Sequence, residues 1–399
     1  MNLEGQIEID ITVHKESGLK DISLINNRPH QAAQLLVGKT VDEVLSLIPM
    51  LFHVCGKAQG AAAINAINMA QGQPVECKLA RARAALVDVE FLREHLLRVF
   101  LDWPKQLPDG EKLIPQQALQ SLMQSGPRFE SALFGTSKPF SQLAMLHLNW
   151  DDIDPLLEDV ADLLESHVFG CPADVWLKAK TADVVLHWMK ESETVAAQSC
   201  RHILDKGWAG EGETDLHFLP NLSVEELYEL LFSKDASAFT AAPTWHSGSK
   251  ETSAFSRHFD HPLLQRIVAH CGAGLLARHV ARLIEIAVVF ARLKAGLIDL
   301  KNMIGDESFL TQPPHAQTGI GMVEASRGLL VHGVQLDGDT IANYRILAPT
   351  EWNFHETGPL VTALANITGH DLERIKMIAE LVVPAIDPCT QTKLEARYA

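Results

Sequence analysis

The sequence predicts a mainly α-helical chain with β-strands near both of its ends. Residues 7–13 alternate between apolar and polar side chains, which is typical of a half-buried strand, and residues 20–26 alternate more weakly. Helical periodicity then dominates as far as residue 300, and the strand-like pattern returns after Gly319. Helices and strands are therefore expected in separate parts of the chain.

Local signals support the first elements in order. Glu16-Ser17-Gly18 is expected to turn the chain between the two N-terminal strands, which would then pair as a hairpin. Gly38 is a residue typical of a helix C-terminus, and Thr40 with Glu43 predicts a capping box at the start of the next helix. The helices predicted for the first hundred residues cover residues 31–37, 41–48, 56–70 and 79–101.

The middle of the chain gives weaker signals. Residues 206–258 are rich in Gly, Ser, Thr and Asp, and we expect a long loop there, a type of segment that is often functional or disordered. After it, a turn at Asp337-Gly338 should join two strands, over residues 329–334 and 340–347. The remaining predicted helices cover residues 116–123, 154–167, 182–206, 224–232, 262–300, 361–365 and 371–382.

Composition excludes several classes of protein. The 399 residues are 47% hydrophobic, which is enough for a sizeable core and excludes a mainly disordered chain. The net charge of −16 argues against a nucleic-acid partner, because phosphate contacts need clustered Lys and Arg. No stretch is apolar enough to span a membrane, and the Met-Asn-Leu-Glu start lacks the features of a signal peptide. We therefore expect a cytoplasmic protein without a membrane partner.

Three short motifs have simpler interpretations than the ones that they first suggest. Residues 33–40 fit a permissive phosphate-loop pattern, but no strand precedes them and apolar helix formers fill the loop. His258 and His261 have a metal-ligand spacing, but Pro262 follows them and a solvated loop pair is favoured. Gly319-Ile320-Gly321 resembles a fragment of a dinucleotide fingerprint, but it follows a loop and not a strand.

The six cysteines are scattered, with no Cys-x-x-Cys pair, so neither a disulfide framework nor a tetrahedral zinc site is expected. Cys55 lies at a predicted helix start, where the helix dipole would stabilise a thiolate. Cys389 lies ten residues from the C-terminus. Taken separately, neither indicates a metal site, because a buried and inert cysteine is the commoner case.

Five motifs occur in order along the chain. They are Asn2-Leu3-Glu4-Gly5-Gln6; Phe52-x-x-Cys55-x-x-x-Gln59; Glu94-His95-Leu96-Leu97; Glu324-Ala325-Ser326-Arg327-Gly328 with His332, Asp337-Gly338, Tyr344 and Pro349-Thr350-Glu351-Trp352-Asn353; and Asp387-Pro388-Cys389-x-x-Thr392-x-x-Glu395. In this order they resemble motifs of the large subunit of nickel–iron hydrogenases. The resemblance is strong over residues 1–102 and 319–395 and weak between them.

The departures from the family pattern carry the functional argument. In the enzymes four thiolates hold nickel, and two of them bridge to an iron that carries cyanide and carbon monoxide. Two of these four positions are Phe52 and Thr392 here, and neither side chain can replace a soft thiolate ligand. Two family His positions are Gln59 and Glu395, and a family Arg position is Asn2. A complete nickel–iron site is therefore not expected.

The iron side of the family's site is retained. By resemblance, Cys55 matches a bridging thiolate, whereas Cys389 matches a thiolate that holds nickel alone. Arg327 and Thr350 match positions that lie against the diatomic ligands of the iron, and both are suitable donors to a cyanide nitrogen. The chain also ends four residues after Glu395, so the cleaved C-terminal extension of the enzymes' precursors is not expected.

This pattern resembles the HupK/HoxV-type hydrogenase accessory proteins. The resemblance implies a non-catalytic maturation scaffold that transiently binds the Fe(CN)2(CO) unit through Cys55 and Cys389, with Arg327 and Thr350 on the cyanides. The implied partners are a maturation chaperone that delivers iron and the hydrogenase large-subunit precursor. Two alternatives remain, a divergent nickel–iron hydrogenase-like oxidoreductase and a metal-free interaction protein of the same fold.

The resemblance also implies an α+β fold that is mainly α, with a core of long bundled helices and small peripheral sheets. We expect one domain over residues 1–399, with a core from residues 1–102 and 259–399 and a divergent helical periphery over residues 103–258. Because the metal pocket of this fold is built from both chain ends, Cys55, Arg327 and Cys389 should converge.

Overall fold

Three small sheets hold the strands of this protein, seen in a computed structural model that describes residues 5–28, 32–179, 181–246 and 248–399. The strands are β1 (Gln6–Val13), β2 (Lys20–Asn26), β3 (Val75–Glu76), β4 (Ser308–Phe309), β5 (Thr318–Ala325), β6 (Gly328–Asp337), β7 (Thr340–Leu347) and β8 (Gln391–Tyr398). The sheet orders are β2-β1-β8, β3-β4 and β5-β6-β7.

The first sheet joins the two ends of the chain. The apolar residues of β1 at positions 7, 9, 11 and 13 are buried, as the alternation predicts. The predicted hairpin is confirmed, because β2 runs antiparallel to β1 with Ile7 opposite Asn26. On the other side of β1, β8 runs parallel to it with Gln6 opposite Gln391. This C-terminal strand was not predicted.

Helices make up most of the described residues, and the mainly helical α+β fold is confirmed. They are α1 (Val41–Leu51), α2 (Gly56–Gln71), α3 (Cys77–Leu97), α4 (Gln116–Phe134), α5 (Trp150–Leu164), α6 (Ala173–Leu177), α7 (Ala182–Glu191), α8 (Val195–Asp205), α9 (Val224–Leu231), α10 (Ala236–Ala241), α11 (Ala254–Arg257), α12 (Pro262–Cys271), α13 (Leu275–Asn302), α14 (Pro349–Asn353), α15 (Pro359–Ala365) and α16 (Leu372–Ile386). Among the helices described, none is long and apolar enough to cross a membrane.

The core forms where α2 packs on β5 and where α3 packs on α13. The contact between α2 and β5 is close because two glycines of the strand face the helix backbone. A Cβ atom on Gly319 would lie 1.8 Å from the Ala66 carbonyl oxygen, and one on Gly321 would lie 1.9 Å from that of Ala62. The Gly-Ile-Gly motif therefore serves helix–sheet packing and fixes the position of α2.

Several helix boundaries differ from the predicted ones. The capping box is confirmed, since Glu43 N–H donates to Thr40 Oγ1 and the Glu43 carboxylate accepts from Thr40 N–H. The short element before Gly38 is a 3-10 helix (Ala32–Leu36), and its predicted first residue, Gln31, lies outside the described residues. The helix predicted over residues 182–206 is interrupted between α7 and α8, and Thr194 caps α8.

Two further corrections concern the middle of the chain. The pattern over residues 262–300 forms two helices, because Gly272 has φ +85° and a Cβ on Gly274 would lie 2.5 Å from the Gly210 carbonyl carbon. Residues 206–258 are not one long loop, since they contain α9, α10 and α11. Thr252 of this segment is buried, and its backbone exchanges hydrogen bonds with the Asn353 side chain in the functional region described next.

Candidate metal-binding site

The first sheet places three distant segments at one of its ends. Because β2 is antiparallel to β1 and β8 is parallel to it, the end of β2 and the start of β8 both lie beside the start of β1. Cys389 comes two residues before β8, and its neighbour Thr390 donates its hydroxyl to the Gly5 carbonyl at 2.7 Å. The C-terminal cysteine is thereby fixed against the N-terminus.

Cys389 is hydrogen-bonded to Thr350, the second residue of α14. Thr350 Oγ1 lies 3.0 Å from Cys389 Sγ, and the Cys389 backbone N–H donates to the same hydroxyl oxygen at 3.3 Å. Thr350 is fully buried. The structure therefore brings together a thiol and a hydroxyl that are 39 residues apart in sequence.

Arg327 occupies the tight turn between β5 and β6, where Ala325 pairs with Gly328. Its Nε donates to the Pro388 carbonyl oxygen at 3.1 Å, so that the guanidinium lies beside the Cys389 segment. Asn353 supports the turn by donating to the Arg327 carbonyl at 3.2 Å and to the Thr252 carbonyl at 2.7 Å. A segment predicted as a loop thus supports the site.

Two buried carboxylates hold the Arg327 side chain. Nη2 donates to Glu94 Oε2 at 3.0 Å, and Nε lies 3.2 Å from Asp387 Oδ1. Asp387 also contacts Arg98 at 2.9 Å and Arg282 at 3.4 Å. Burial alone would raise the pKa of Asp387, but these three guanidinium groups hold it far below its ordinary value. Arg327 therefore has a fixed orientation in a network of paired charges.

Cys55 lies at the N-cap position of α2, and a buried hydrogen-bond chain leads away from it. Gln59 Nε2 donates to Cys55 Sγ at 3.7 Å, and Gln59 Oε1 accepts from His332 Nε2 at 2.8 Å. The other ring nitrogen of His332 lies 2.8 Å from the Tyr344 hydroxyl. With the proton on Nε2, His332 orients the Gln59 amide so that its N–H group faces the sulfur.

The expectation that the helix dipole stabilises a Cys55 thiolate is wrong. The Glu90 carboxylate already occupies the N-terminus of α2, where it accepts from the backbone N–H groups of Lys57 at 2.8 Å and Ala58 at 3.0 Å. Burial raises the pKa of Cys55 to about 12, and negative charge at Cys389 and Glu90 acts in the same direction. The thiol is therefore protonated at neutral pH.

Sequence reasoning missed Arg28, which lies two residues after β2. Its Nη1 donates to the carboxylate of Glu351, the residue that follows Thr350 on α14. The side chain is 15% exposed. Burial alone would lower the pKa of Arg28, but the ionised forms of Cys389, Glu351 and Cys55 raise it. The sequence did not point to Arg28, because the pairing of β8 with β1 was not predicted. That pairing brings the Cys389 segment to the same end of the sheet as Arg28.

An open cleft of about 880 Å³ leads from the surface to Cys389 and Arg327. Arg98, Lys105, Glu380 and Thr392 also line it. The four remaining cysteines lie on other elements, and within the described ranges no group of three or more His, Cys, Asp and Glu side chains is arranged to hold a metal. Any metal held here would use two thiols with donors from outside the protein.

The substituted family positions have other roles in this structure. Phe52 packs against the core near Cys55, and Thr392 pairs with Ile7 in the sheet. Glu395 lies on the opposite, exposed face of β8, where its carboxylate pairs with Lys393 at 2.7 Å. Asn2, which stands at the family's Arg position, lies outside the described residues. None of these three described side chains supplies a thiolate.

The His258–His261 motif is also not a solvated pair. His258 Nε2 lies 3.2 Å from Glu285 Oε1, and the histidine side chain is 13% exposed. His261 caps α12 by accepting from Leu263 N–H at 3.3 Å. The two rings therefore have separate structural roles.

Comparison with known proteins finds similarity to hydrogenases and to hydrogenase accessory proteins. The family described as Nickel-dependent hydrogenase matches residues 244–391. The hydrogenase expression/formation protein HoxV of Cupriavidus necator is 27% identical, covering 93% of this chain and 92% of its own. HupK of Bradyrhizobium diazoefficiens, with the same description, is 28% identical and covers 100% of this chain and 99% of its own. The chain is thus similar to the Nickel-dependent hydrogenase family over residues 244–391 and to hydrogenase expression/formation proteins over nearly its full length.

Solved hydrogenase structures have the same fold as this chain. The NAD⁺-reducing [NiFe]-hydrogenase in its H2-reduced state matches with a TM-score of 0.65 and 16% identity, over 97% of this chain and 96% of its own. The Ni-Fe-Se hydrogenase of Desulfomicrobium baculatum matches with a TM-score of 0.64 and 14% identity, over 98% and 97% of the two chains. The predicted large-subunit-like fold is therefore confirmed.

Proposed function

We propose that this chain is a non-catalytic scaffold of nickel–iron hydrogenase maturation. It receives the Fe(CN)2(CO) unit as cargo, holds it transiently and passes it to the hydrogenase large-subunit precursor. The relatives that match over their full length support a maturation role, since each is named a hydrogenase expression/formation protein. The donor set of the site supports iron as the cargo.

One observation carries the proposal: two thiols and two hydrogen-bond donors remain where four thiolates would be needed. Cys389 contacts Thr350 at 3.0 Å, and Arg327 lies beside the same segment through Pro388. The other two family thiolate positions hold Phe52 and Thr392, which cannot bind nickel as soft ligands. The chain thus retains groups suited to an iron with cyanide ligands, and it lacks a complete set for nickel.

The chemistry of the site fits a cargo that must leave again. Cys55 and Cys389 must each lose a proton to bind iron, so loading releases protons and competes with the protonated thiol. Because the pKa of Cys55 is raised to about 12, this competition weakens binding at neutral pH. Two cysteine thiolates also form fewer bonds to the metal than four, so fewer bonds must break when the cargo is transferred.

The surroundings supply fixed donors for the cyanide ligands. Arg327 is held in place by Glu94 and Asp387, and Thr350 is fully buried. A guanidinium and a hydroxyl are both suitable donors to a cyanide nitrogen. The cleft of about 880 Å³ leaves room for a delivering chaperone or the precursor to reach the iron.

Infrared spectroscopy of anaerobically purified protein, co-expressed with the hydrogenase maturation machinery, tests the proposal. We expect cyanide and carbon monoxide stretching bands, with iron at close to one atom per chain. Cys55→Ser and Cys389→Ser should each remove the bands. Cys271→Ser is a matched control, because Cys271 is also partly buried but lies at the end of α12.

Two results would contradict the proposal. Stoichiometric nickel with hydrogen-dependent dye reduction would favour the oxidoreductase alternative. Absence of diatomic bands from co-expressed protein would favour the metal-free interaction protein.

A further inference from the structure

The topology of the first sheet brings Arg28 to the proposed iron site. Arg28 lies two residues beyond the end of β2, and Cys389 lies two residues before the start of β8. Both strands border β1 at the same end, with Ile7 opposite Asn26 and Gln6 opposite Gln391. Since β2 and β8 are two strand spacings apart, the backbones are separated by roughly 10 Å, a distance that an arginine side chain largely spans.

Close packing against Gly5 fixes the Arg28 backbone. Gly5 has φ +64°, and a Cβ atom there would lie 2.6 Å from Arg28 Cα and 2.8 Å from the Asn27 carbonyl oxygen. The carbonyl of the same glycine accepts the Thr390 hydroxyl at 2.7 Å. One residue therefore ties the Arg28 segment to the Cys389 segment.

The guanidinium of Arg28 lies beside the helix that carries Thr350. Its Nη1 donates to Glu351, whose neighbour Thr350 contacts Cys389 Sγ. Within the described part of the chain, the Nε and Nη2 groups of Arg28 have no hydrogen-bond acceptor. The pKa of Arg28 is raised in spite of its burial, because the guanidinium interacts with the carboxylate of Glu351 and with the ionised forms of Cys389 and Cys55.

Arg327 has only part of its hydrogen-bonding capacity left for the cargo. Its three nitrogens already donate to Pro388, Ser326 and Glu94, which uses three of its five N–H groups. An iron(II) with two cyanides is neutral, and two bound cysteine thiolates make it a dianion. A buried dianion requires cationic or hydrogen-bonding partners on more than one side.

We propose that Arg28 is a second cargo-binding guanidinium, which donates to an anionic cyanide ligand of the bound iron while Glu351 positions it. This assignment rests on the proposed scaffold function and adds a residue to it. Glu351 binds the planar guanidinium group of Arg28 through Nη1 alone, so Nε and Nη2 remain to donate to the cargo. Lysine at this position would keep the positive charge but would lose the planar arrangement of several N–H donors.

The experiment compares Arg28→Gln and Arg28→Lys with the wild type, each co-expressed with the maturation machinery and purified anaerobically. Arg374→Gln is the matched control, because Arg374 also pairs with a buried carboxylate, that of Glu211, away from the cleft. Infrared spectra report the two cyanide bands, and bound iron is followed during dialysis against an iron chelator. Thermal unfolding of each variant shows whether the fold is retained.

We expect one cyanide band to shift in Arg28→Gln while the other stays, and iron retention to fall roughly 10- to 100-fold, as for loss of a charged hydrogen bond. Arg28→Lys should retain more iron but still shift that band. If Arg28→Gln does not fold, the position of the cyanide band in Arg28→Lys tests the assignment instead, and a shifted band supports it. Unchanged bands and retention in a folded Arg28 variant would overturn the Arg28 assignment alone. Absence of bands from the wild type would overturn the scaffold function and this assignment with it.

Discussion

The buried carboxylate at the N-terminus of α2 makes a quantitative prediction about pH. Glu90 accepts hydrogen bonds from the backbone N–H groups of Lys57 and Ala58, and it comes from α3. Burial raises the pKa of Glu90 from its ordinary value of 4.5 to about 7, although both hydrogen bonds oppose the shift. Glu90→Gln removes this titration and keeps the size and one acceptor oxygen.

The direction and size of the effect of Glu90 on the free energy of unfolding follow from the difference between its folded and unfolded pKa values. Because the pKa of Glu90 is higher in the folded protein than in the unfolded chain, folding favours the neutral carboxyl. Its contribution to stability is complete below pH 4.5 and is lost as the pH rises through about 7. With about 1.4 kcal/mol for each pKa unit, the loss between about pH 5 and about pH 8 amounts to about 2.5 kcal/mol.

Urea unfolding of the wild type and Glu90→Gln across this pH range measures the effect. We expect the free energy of unfolding of the wild type to fall by about 2.5 kcal/mol relative to the variant. Glu130→Gln is the control, because it also removes a carboxylate near the start of α2, one that pairs with Lys57 but whose side chain is 32% exposed. Parallel pH curves for Glu90→Gln and the wild type would refute the argument.

Three further substitutions test the packing and charge network of the site. Gly321→Ala should lower the melting temperature and cost at least about 1–3 kcal/mol, because its Cβ would lie 1.9 Å from the Ala62 carbonyl oxygen. Thr350→Val should cost about 1–3 kcal/mol in urea unfolding, since it leaves the Cys389 N–H without its acceptor. Asp387→Asn should cost about 3–5 kcal/mol at neutral pH, because the buried Arg282 and Arg327 and the partly buried Arg98 lose a shared carboxylate. This last cost should shrink in acid, since the pKa of Asp387 lies far below its ordinary value and protonation removes the same charge from the wild type.

Each of these substitutions has a control or a contradicting result. Gly296→Ala on α13 should not destabilise, because a Cβ there meets no atom within 4 Å. Thr362→Val removes a hydroxyl that donates to a helix carbonyl away from the cleft, and a cost equal to that of Thr350→Val would contradict a special role for Thr350. An Asp387→Asn penalty that does not change with pH would contradict the charge network.

The sequence predicted the elements whose signals are local. The period-two alternation at Ile7 to Val13 and the capping box at Thr40 depend on neighbouring residues, and both are confirmed. It did not predict β8, because residues 391–398 have only a short alternation and the motif around Cys389 suggested metal ligands. Helix interruptions such as that at Gly272 depend on contacts with distant residues, and a pattern of apolar positions does not contain them.

The same distinction applies to the site, where sequence motifs identified residues but not their contacts with distant parts of the chain. The motifs that resemble the hydrogenase large subunit led to Cys55, Arg327, Thr350 and Cys389. Arg327 and Cys389 line one cleft, Thr350 contacts Cys389, and Cys55 interacts electrostatically with Cys389 and Arg327. Their role as cargo ligands remains a prediction. The environment of Cys55 was misjudged, because Glu90 reaches the helix N-terminus from a different helix, 35 residues further along the chain.

Transfer of labelled cargo tests the central claim most directly. The protein is loaded in cells supplied with a ¹³C source for cyanide, purified anaerobically, and mixed with unlabelled hydrogenase large-subunit precursor that lacks metal. We predict that the isotope-shifted cyanide bands leave this chain and appear on the precursor, and that Cys389→Ser protein transfers none. Labelled bands that stay on this chain in the presence of precursor, or a precursor that acquires only unlabelled cyanide, would contradict the scaffold function.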